Sequence, residues 1–366
     1  MQINSLWFEI QDLRSKFNIM SMNKNKDLNF LIGLKTEELE VFAENLGEKK
    51  FRGRQIFDWI YNQNIDDIIL MTDLPKLFRE KLKNFPIHPL KLLSNNSSNS
   101  KKTRKFLFQL ANGEKIESVL MKEGNRTTIC LSTQVGCAVD CKFCATAKMG
   151  FKKNLTVGEI VDQFIQLQML IDQKITNVVF MGMGEPFLNY KNTIEAANLL
   201  HHPKGINLGA KRITISTAGI VPKIEQYAKE LHPFKLAISL NGTSHEQRLK
   251  IMPITKAFPF KNLLKVAKNY AYNSRNKLTF EYVLLKDIND DIKDAKKLIS
   301  LLERINCKLN IIPYNEIGGH FERPSDKKIE KFIKVLKNVC FPVTVRWSKG
   351  TDIDAGCGQL VTSIEA

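Results

Sequence analysis

The sequence predicts an α/β protein, in which an incomplete (β/α)6 barrel follows a small helical module and a β-hairpin. The main observation is a regular alternation of six apolar segments with amphipathic helical segments from Thr127 to Leu336. The two others are a helical period from Leu31 to Leu82 and a pair of alternating segments around Asn112-Gly113. Strands that alternate with helices imply a parallel sheet covered by helices. Six units favour an incomplete barrel, and a doubly wound open sheet is the alternative.

The local patterns assign each element in turn. The predicted helices of the N-terminal module are Glu37–Leu46, Arg52–Tyr61 and Leu74–Leu82. Asn95–Thr103 is rich in Ser and Asn and predicts a linker or a loop tip, and the hairpin strands follow at Lys105–Leu110 and Lys115–Met121. The barrel strands are Thr127–Ser132, Asn177–Met181, Arg212–Ser216, Lys235–Leu240, Leu278–Leu284 and Lys308–Ile312. The helices between and after them include Val157–Leu170, Ile220–Lys229, Phe260–Tyr270, Asp291–Arg304 and Asp326–Leu336.

Five regions follow from this order. They are an N-terminal extension (1–28), a helical accessory domain assigned to RNA binding (29–93), a linker with hairpin (94–122), the barrel (123–352) and a C-terminal loop (353–366). Met20 and Met22 are alternative translation starts. No segment reaches the ~20 apolar residues of a membrane span. Glu9 and Asp12 interrupt the apolar N-terminus and argue against a signal peptide, so we expect a cytoplasmic protein without a membrane partner.

The composition is that of an ordinary globular protein, but the charge is not balanced. Apolar residues make up 43% of the 366 residues and charged residues 25%, which excludes a disordered or collagen-like chain. The 55 basic residues exceed the 38 acidic ones by 17, so nucleic acid is the favoured partner. A Lys-rich coding bias is the alternative. The basic runs Lys101–Lys105 and Lys148–Lys153 flank the predicted active face and are candidate phosphate contacts, or solvated surface.

Four of the seven cysteines lie within fifteen residues, at Cys130, Cys137, Cys141 and Cys144. In a reducing compartment this clustering indicates metal binding rather than disulfides. The spacing Cys137-x3-Cys141-x2-Cys144 supplies three thiolates to one compact iron–sulfur cluster and leaves one of four irons open. Zinc with Cys130 as the fourth ligand, in a non-catalytic RNA-binding protein, is the alternative, although Cys130 lies inside a predicted strand.

Other chemically useful residues follow the predicted strands. The carboxyl ends of barrel strands carry functional loops, and these ends hold Gly182-Met183-Gly184-Glu185-Pro186, Ser216, Ser239-Leu240-Asn241 and Asn315. Glycines let a ligand approach the backbone, and the Glu185 carboxylate can accept hydrogen bonds from an ammonium group. Their shared face therefore predicts a ligand site beside the cysteines.

The order QVGCAVDCKFC, FMGMGEPFLN, RITISTAG, AISLNGT, NIIPYN and DIDAGCGQL closely resembles the RlmN/Cfr family of radical S-adenosylmethionine RNA methyltransferases, from about Leu31 to Leu360. The resemblance implies a [4Fe-4S] cluster on Cys137, Cys141 and Cys144. It also implies that S-adenosylmethionine is bound by Gly184, Glu185, Ser216, Ser239, Leu240, Asn241 and Asn315. Family members often have His where Asn241 stands, which matters only if the side chain makes the contact.

Within this family, GMGEPFLN resembles the branch that methylates C2 of adenine. Its substrates are 23S rRNA, in the peptidyl-transferase region, and tRNA, at the adenosine 3′ of the anticodon. The branch that methylates C8 is the alternative. The resemblance further implies an electron donor such as flavodoxin or ferredoxin, and we expect a monomer.

The chemistry of adenine C2 calls for thiols outside the cluster. C2 is not nucleophilic, whereas a thiolate accepts a methyl group readily. One S-adenosylmethionine methylates a Cys. A deoxyadenosyl radical from a second S-adenosylmethionine molecule then abstracts hydrogen from that S-methyl group, and the resulting carbon radical adds to C2. A base removes the C2 proton, and a second thiol displaces the sulfur and leaves a disulfide. Cys357 is predicted to carry the methyl group and Cys130 to resolve the adduct.

Three further assignments complete the prediction. Glu117 lies in a hairpin strand, where a glutamate usually faces solvent, but the resemblance places the family's proton acceptor there. Cys307 and Cys340 lie in apolar contexts and are predicted to be buried small hydrophobic residues.

Overall fold

One mixed sheet of ten strands, with helices packed on it, dominates the structure, a computed structural model that describes residues 30–362. The expectations about residues 1–28, with Met20, Met22 and the acidic Glu9 and Asp12, lie outside the described residues. None of the described helices is long and apolar enough to cross a membrane.

The strands and helices are numbered in chain order. The strands are β1 (Leu90–Ser97), β2 (Thr103–Leu110), β3 (Lys115–Glu123), β4 (Arg126–Cys130), β5 (Gln134–Gly136), β6 (Phe151–Asn154), β7 (Asn177–Phe180), β8 (Ile213–Thr217), β9 (Lys235–Ser239), β10 (Leu278–Leu284), β11 (Cys307–Pro313) and β12 (Val343–Val345). The helices are α1 (Thr36–Asn45), α2 (Phe51–Tyr61), α3 (Lys76–Leu82), α4 (Ala145–Lys148), α5 (Val157–Met169), α6 (Tyr190–His201), α7 (Val221–Lys229), α8 (His245–Ile251), α9 (Phe260–Asn273), α10 (Ile292–Leu302) and α11 (Asp326–Val335).

The large sheet has the order β1-β2-β3-β4-β7-β8-β9-β10-β11-β12. From β4 to β12 every neighbouring pair is parallel. The six predicted barrel strands are confirmed as β4, β7, β8, β9, β10 and β11. β12 was not predicted, because three residues are too short for a period of two to stand out. The incomplete barrel is therefore confirmed, and its strands all present their carboxyl ends at one face.

The hairpin is confirmed, and residues 98–102 form a loop tip between β1 and β2, but the rest of the segment before the hairpin is not a linker. Asn95–Ser97 belong to the edge strand β1 and pair with β2, as Asn95 opposite Phe106 and Ser97 opposite Arg104. The prediction of a linker is wrong for these residues because polar side chains are tolerated on an exposed edge strand. The domain boundaries at 93/94 and 122/123 consequently fall inside β1 and β3, which continue the barrel sheet.

The N-terminal helices pack on the barrel through α5. One continuous apolar core extends from Leu31 in the helical module to Leu360 in the C-terminal segment. The buried Asp162 of α5 accepts hydrogen bonds from the Leu90 backbone at 3.0 Å and lies 2.6 Å from His88 Nδ1. The module is thus held against a helix that follows the cysteine loop after α4 and β6.

Candidate active site

An open cavity, with about 940 Å³ of empty space that includes open solvent, lies at the carboxyl ends of the parallel strands. Most of the residues that the sequence predicted for the site line it: Cys137, Cys141, Cys144, Gly184, Glu185, Ser216, Ser239, Asn241, Asn315 and Cys357. Leu240, Glu117 and Cys130 are not among its lining residues. The fold therefore brings the three-cysteine loop, the strand-end loops and the C-terminal cysteine together.

The cysteine loop is closed at its base by the small β5–β6 ribbon. Gly136 has a φ of +69°, and a Cβ placed on it would lie 1.7 Å from the Gly150 carbonyl oxygen. The next residue, Cys137, donates its backbone N–H to that oxygen at 2.9 Å. Only glycine allows this approach, so Gly136 sets the position from which the loop starts.

Two of the three loop thiols accept hydrogen bonds from backbone donors. The sulfur of Cys137 accepts from the N–H of Val139, and Cys144 accepts from Thr146 and Ala147 at the start of α4. Burial nevertheless raises the pKa of Cys137 to about 12 and that of Cys141 well above its ordinary value, with the neighbouring thiols adding to the shift at Cys141. A cationic metal group reverses this preference for the protonated form, and an iron–sulfur cluster takes thiolate ligands with such N–H···S contacts. The donor set fits a cluster.

The zinc alternative fits less well. Cys130 is buried in β4, where it pairs with Val119 and Val179, and it is not among the lining residues of the cavity. Within residues 30–362, no three His, Cys, Asp or Glu side chains converge on a position for one metal ion. In a cluster each iron takes its own thiolate, so the three sulfurs need not converge on one point.

Glu185 presents a buried carboxylate to the cavity. Its oxygens accept hydrogen bonds from the backbone N–H groups of Ala218 at 2.6 Å and Phe187 at 2.9 Å. Burial raises its pKa to about 6, and these hydrogen bonds oppose the shift. Each carboxylate oxygen can accept a further donor. The carboxylate is therefore a pre-positioned acceptor for a cationic ligand group.

The Asn241 side chain has structural partners. Its Oδ1 accepts from the Val283 backbone at 2.9 Å, and its Nδ2 donates to the Met252 sulfur at 3.4 Å. Leu240 is fully buried, and its carbonyl oxygen accepts from Arg248 Nε at 3.0 Å. A ligand contact by Leu240 is therefore limited to its backbone. The Asn241 side chain serves first to hold β10 against the loop that follows β9.

Two charged residues that sequence patterns missed support these strand ends. Arg248 is fully buried and its guanidinium also donates to the carbonyl oxygens of Ala218 and Ser239, which ties the loops after β8 and β9 together. Glu281, inside β10, accepts from Ser216 Oγ at 2.8 Å. Both stand in ordinary helix or strand patterns, so no local signal distinguishes them.

The C-terminal segment is docked on the cysteine loop. Asn315 Nδ2 donates to the carbonyl oxygen of Cys357 at 2.9 Å. The Gly358 carbonyl accepts from the Ala145 backbone at 2.7 Å, and the Leu360 carbonyl accepts from Thr146 Oγ1 at 2.6 Å. These bonds fix the backbone at and directly after the half-buried Cys357, beside the loop that carries Cys144.

Glu117 is buried rather than solvated. One oxygen lies 3.1 Å from Lys105 Nζ, and the other accepts from the Val361 backbone at 3.0 Å. Burial raises the pKa of Glu117, and Lys105 and the Val361 hydrogen bond oppose the shift. This carboxylate therefore joins the hairpin to the segment that carries Cys357.

Arg346 interacts electrostatically with two of the cysteines outside the cysteine loop, Cys130 and Cys357. Its Nη1 is 3.4 Å from the sulfur of Met181, whose backbone N–H donates to the Cys130 sulfur. Burial raises the pKa of Cys130 to about 12, and Arg346 opposes this shift. Interaction with Cys357 is in turn the largest factor that raises the pKa of Arg346. Arg346 was not predicted from the sequence, because an arginine directly after a segment as short as Val343–Val345 is a weak signal.

Two surface predictions need correction. Cys307 is buried as predicted, but Cys340 is exposed, because it follows α11 in a loop at the edge of the sheet.

The first basic run begins near the amino end of β4. Lys122 donates its backbone N–H to the Lys102 carbonyl oxygen, and Lys122 is paired with Thr127 at the start of β4. Lys102 therefore lies toward that end of the strand. The first basic run therefore does not lie wholly beside the cavity.

The second basic run is mostly engaged in contacts within the protein. Lys152 lies 2.9 Å from Glu114, and Lys153 lies 2.8 Å from Glu159. Lys148 donates to the carbonyl oxygen of Gly318 at 3.1 Å. Paired lysines carry less charge toward a phosphate than free ones, so these residues are weaker candidates for RNA contact than the sequence suggests.

Known proteins resemble this chain over nearly its whole length. Residues 131–299 match the model of the radical SAM superfamily, and residues 29–87 match the ribosomal RNA large subunit methyltransferase N-terminal domain. The probable dual-specificity RNA methyltransferase RlmN of Thermotoga maritima is 43% identical over 331 residues, which covers 90% of this chain and 96% of that protein. The RlmN of Pseudomonas fluorescens is 40% identical over 345 residues, or 91% and 90% of the two chains.

A solved structure agrees with these relatives. The crystal structure of a radical SAM methyltransferase from Sphaerobacter thermophilus superposes with a TM-score of 0.87 at 41% identity. The match covers 90% of this chain and 98% of that one. It includes both the helical module and the barrel, since neither alone would reach this share of the chain.

Proposed function

The chain belongs to the RlmN family of radical SAM RNA methyltransferases, and from this premise we propose that it makes 2-methyladenosine in two RNAs. These are 23S rRNA, in the peptidyl-transferase region, and tRNA, at the adenosine 3′ of the anticodon. The observation that carries the proposal is the docking of Cys357 beside the three-cysteine loop in one cavity. The enzyme acts as a monomer in the cytoplasm and receives electrons from a flavodoxin or ferredoxin.

The residues of the cavity suit the cofactors of this superfamily. Cys137, Cys141 and Cys144 would hold the [4Fe-4S] cluster, and S-adenosylmethionine would be bound by Gly184, Glu185, Ser216, Ser239, Leu240, Asn241 and Asn315. When bound, these groups supply a methyl cation equivalent and a deoxyadenosyl radical, with two S-adenosylmethionine molecules used per turnover. Glu185 is the acceptor for the ammonium end of that ligand.

Cys357 carries the methyl group. Its thiolate forms a bond to the methyl carbon while the sulfonium–carbon bond breaks, so an S-methylcysteine results. The Asn315 hydrogen bond to its carbonyl oxygen keeps the residue in the lining of the cavity. Positioning of this kind converts the transfer into an effectively intramolecular step.

Cys130 resolves the adduct. Its thiolate attacks the Cys357 sulfur, the bond from that sulfur to the methylene carbon breaks, and the carbon takes a proton to become the product methyl group. The two sulfurs are left as a disulfide, which a dithiol must reduce before the next turnover. Arg346 favours the attacking form because its positive charge opposes the effect of burial on the Cys130 pKa.

Glu117 accepts the proton from adenine C2 after the carbon radical has added there. The unpaired electron of that adduct would return to the iron–sulfur cluster that Cys137, Cys141 and Cys144 would hold, which leaves a closed-shell thioether for Cys130 to resolve. The ion pair with Lys105 favours the ionised carboxylate that a base requires, although burial leaves its pKa above the ordinary glutamate value. Contact with the Val361 backbone places this base on the segment that carries the methyl group. The carboxylate is thereby coupled to the position of Cys357.

Glu117→Gln should lower RNA methylation by roughly 10²- to 10⁴-fold, the usual contribution of a general base. In the unchanged enzyme, the methylation rate should be full above the raised pKa of Glu117 and should fall as the pH drops through that pKa. The acid limb of the pH–rate profile should therefore lie above the ordinary glutamate range. The measurement is the rate of methylation against pH under anaerobic conditions.

Glu114→Gln is the matched control, because Glu114 lies in the same hairpin and pairs with Lys152 at the surface. It should keep both rate and pH profile. A Glu117→Gln enzyme with the normal rate and the normal acid limb would remove Glu117 from the mechanism.

The reaction is tested by mass spectrometry of nucleosides from RNA treated with the reconstituted enzyme. We expect 2-methyladenosine in both 23S rRNA and tRNA that lack the modification. Appearance of 8-methyladenosine alone would show C8 specificity. A colourless protein with one zinc and no labile sulfide would refute the radical mechanism altogether.

A further inference from the structure

A second cavity, with about 1340 Å³ of empty space, adjoins the candidate active site. Tyr314 and Asn315 line both cavities. Asp354 and Gln359, from the segment that carries Cys357, also line the second one. A group that occupies the second cavity would therefore lie next to whatever reacts at Cys357.

An exposed aromatic side chain lies in this second cavity. Trp347 is 48% exposed, although tryptophan is a residue that proteins usually bury for the most part. The guanidinium carbon of Arg323 lies 5.7 Å from the centre of the Trp347 ring. Asp326 holds that guanidinium at 2.6 Å. Trp347 and Arg323 together offer a π-face and a cation, to which flat heterocycles bind by stacking.

The charges around Trp347 indicate which part of a nucleotide would bind. Glu316, Asp326 and Asp354 line the cavity, and Arg323 is the one basic residue among the lining residues. Three carboxylates against one guanidinium disfavour a phosphate, whereas carboxylates accept hydrogen bonds from the exocyclic amino groups of bases. The cavity thus suits a base rather than the RNA backbone.

We propose that Trp347 and Arg323 form a stacking site for an unpaired nucleobase adjacent to the target adenosine. This inference rests on the proposed function, because an enzyme that extracts an adenine leaves its neighbours without their stacking partner. Stacking of one neighbour on Trp347 offsets that loss. Asn315, which borders both cavities and bonds to Cys357, connects the stacking site to the reacting base.

The first measurement is RNA affinity of the cluster-loaded enzyme, with an RNA stem-loop that carries the target adenosine. Trp347→Ala should raise the Kd about 10-fold, since stacking on an aromatic side chain contributes about 1–3 kcal/mol per base. Trp347→Phe should recover most of this loss. Tyr272→Ala is the matched control, because Tyr272 is a 90% exposed aromatic residue at the end of α9; it should leave the Kd unchanged.

The second measurement distinguishes stacking from a structural effect. Two RNAs are prepared with an abasic nucleotide directly 5′ or 3′ of the target adenosine. In the unchanged enzyme, one of these should bind about 10-fold more weakly than the intact RNA, and Trp347→Ala should bind that RNA and the intact RNA equally. Methyl transfer to Cys357 in the absence of RNA should be the same in both proteins.

Either of two results would overturn the stacking site. One is an unchanged Kd in Trp347→Ala, and the other is an equal loss of affinity in this variant for the intact and both abasic RNAs. In both cases a normal yield of 2-methyladenosine from the unchanged enzyme would leave the proposed function intact. Absence of any methylated adenosine from the unchanged enzyme would instead refute the proposed function.

Discussion

Cys130→Ala is expected to accumulate a covalent protein–RNA adduct, whereas Cys357→Ala should form none. Cys357 acts first in the proposed sequence, so its loss removes the S-methyl group from which hydrogen is abstracted. Cys130 acts last, after the Cys357 sulfur is already joined to adenine through the methylene carbon. Its loss therefore permits methyl loading and addition to C2 and blocks only release. Both variants should yield no methylated RNA.

The adduct is measured on a denaturing gel after reaction with RNA, S-adenosylmethionine and a reductant. Cys130→Ala should give a retarded band that nuclease removes. Cys307→Ala is the matched control, because Cys307 is also a buried strand cysteine but has no role in the proposed mechanism; it should methylate RNA without such a band. A band of equal intensity in Cys357→Ala, or none in Cys130→Ala while deoxyadenosine is still produced, would contradict the two-thiol mechanism.

Cys141→Ala is expected to abolish cluster loading and all radical chemistry while the barrel remains folded. Each of the three thiolates would hold one iron, so the loss of one leaves two protein ligands and an iron exposed to solvent. The fold should tolerate the change, because the side chain lies in the loop between β5 and α4 rather than in the main core. We expect a loss in the free energy of unfolding on the order of 1 kcal/mol.

Iron and labile sulfide are measured after anaerobic reconstitution, with circular dichroism to verify the fold. Cys340→Ala is the control, because Cys340 is exposed and distant in sequence from the cysteine loop; it should load iron and sulfide normally. If Cys141→Ala still methylated RNA, the assignment of this loop to the cluster would be wrong.

Several properties of this protein were determined by its sequence alone. The barrel strands and most helices follow from apolar periods within ten to fifteen residues. Such periods are local, because neighbouring residues in the sequence are enough to show them. The cysteine loop is equally local, since the spacing from Cys137 to Cys144 decides how many thiols one loop can present. The strand-end residues were also predictable, because the carboxyl ends of parallel strands always share one face.

The tertiary structure decided what links distant parts of the chain. Glu117 contacts Val361, 244 residues away, and Arg346 contacts Met121, 225 residues away. In sequence, Glu117 has the pattern of a solvated strand residue and Arg346 that of a loop residue. Their burial and partners depend on how the C-terminal segment crosses the sheet, which no local period encodes. Long-range contacts therefore determine which charges surround Cys357 and Cys130, while local patterns determine where the thiols themselves are presented.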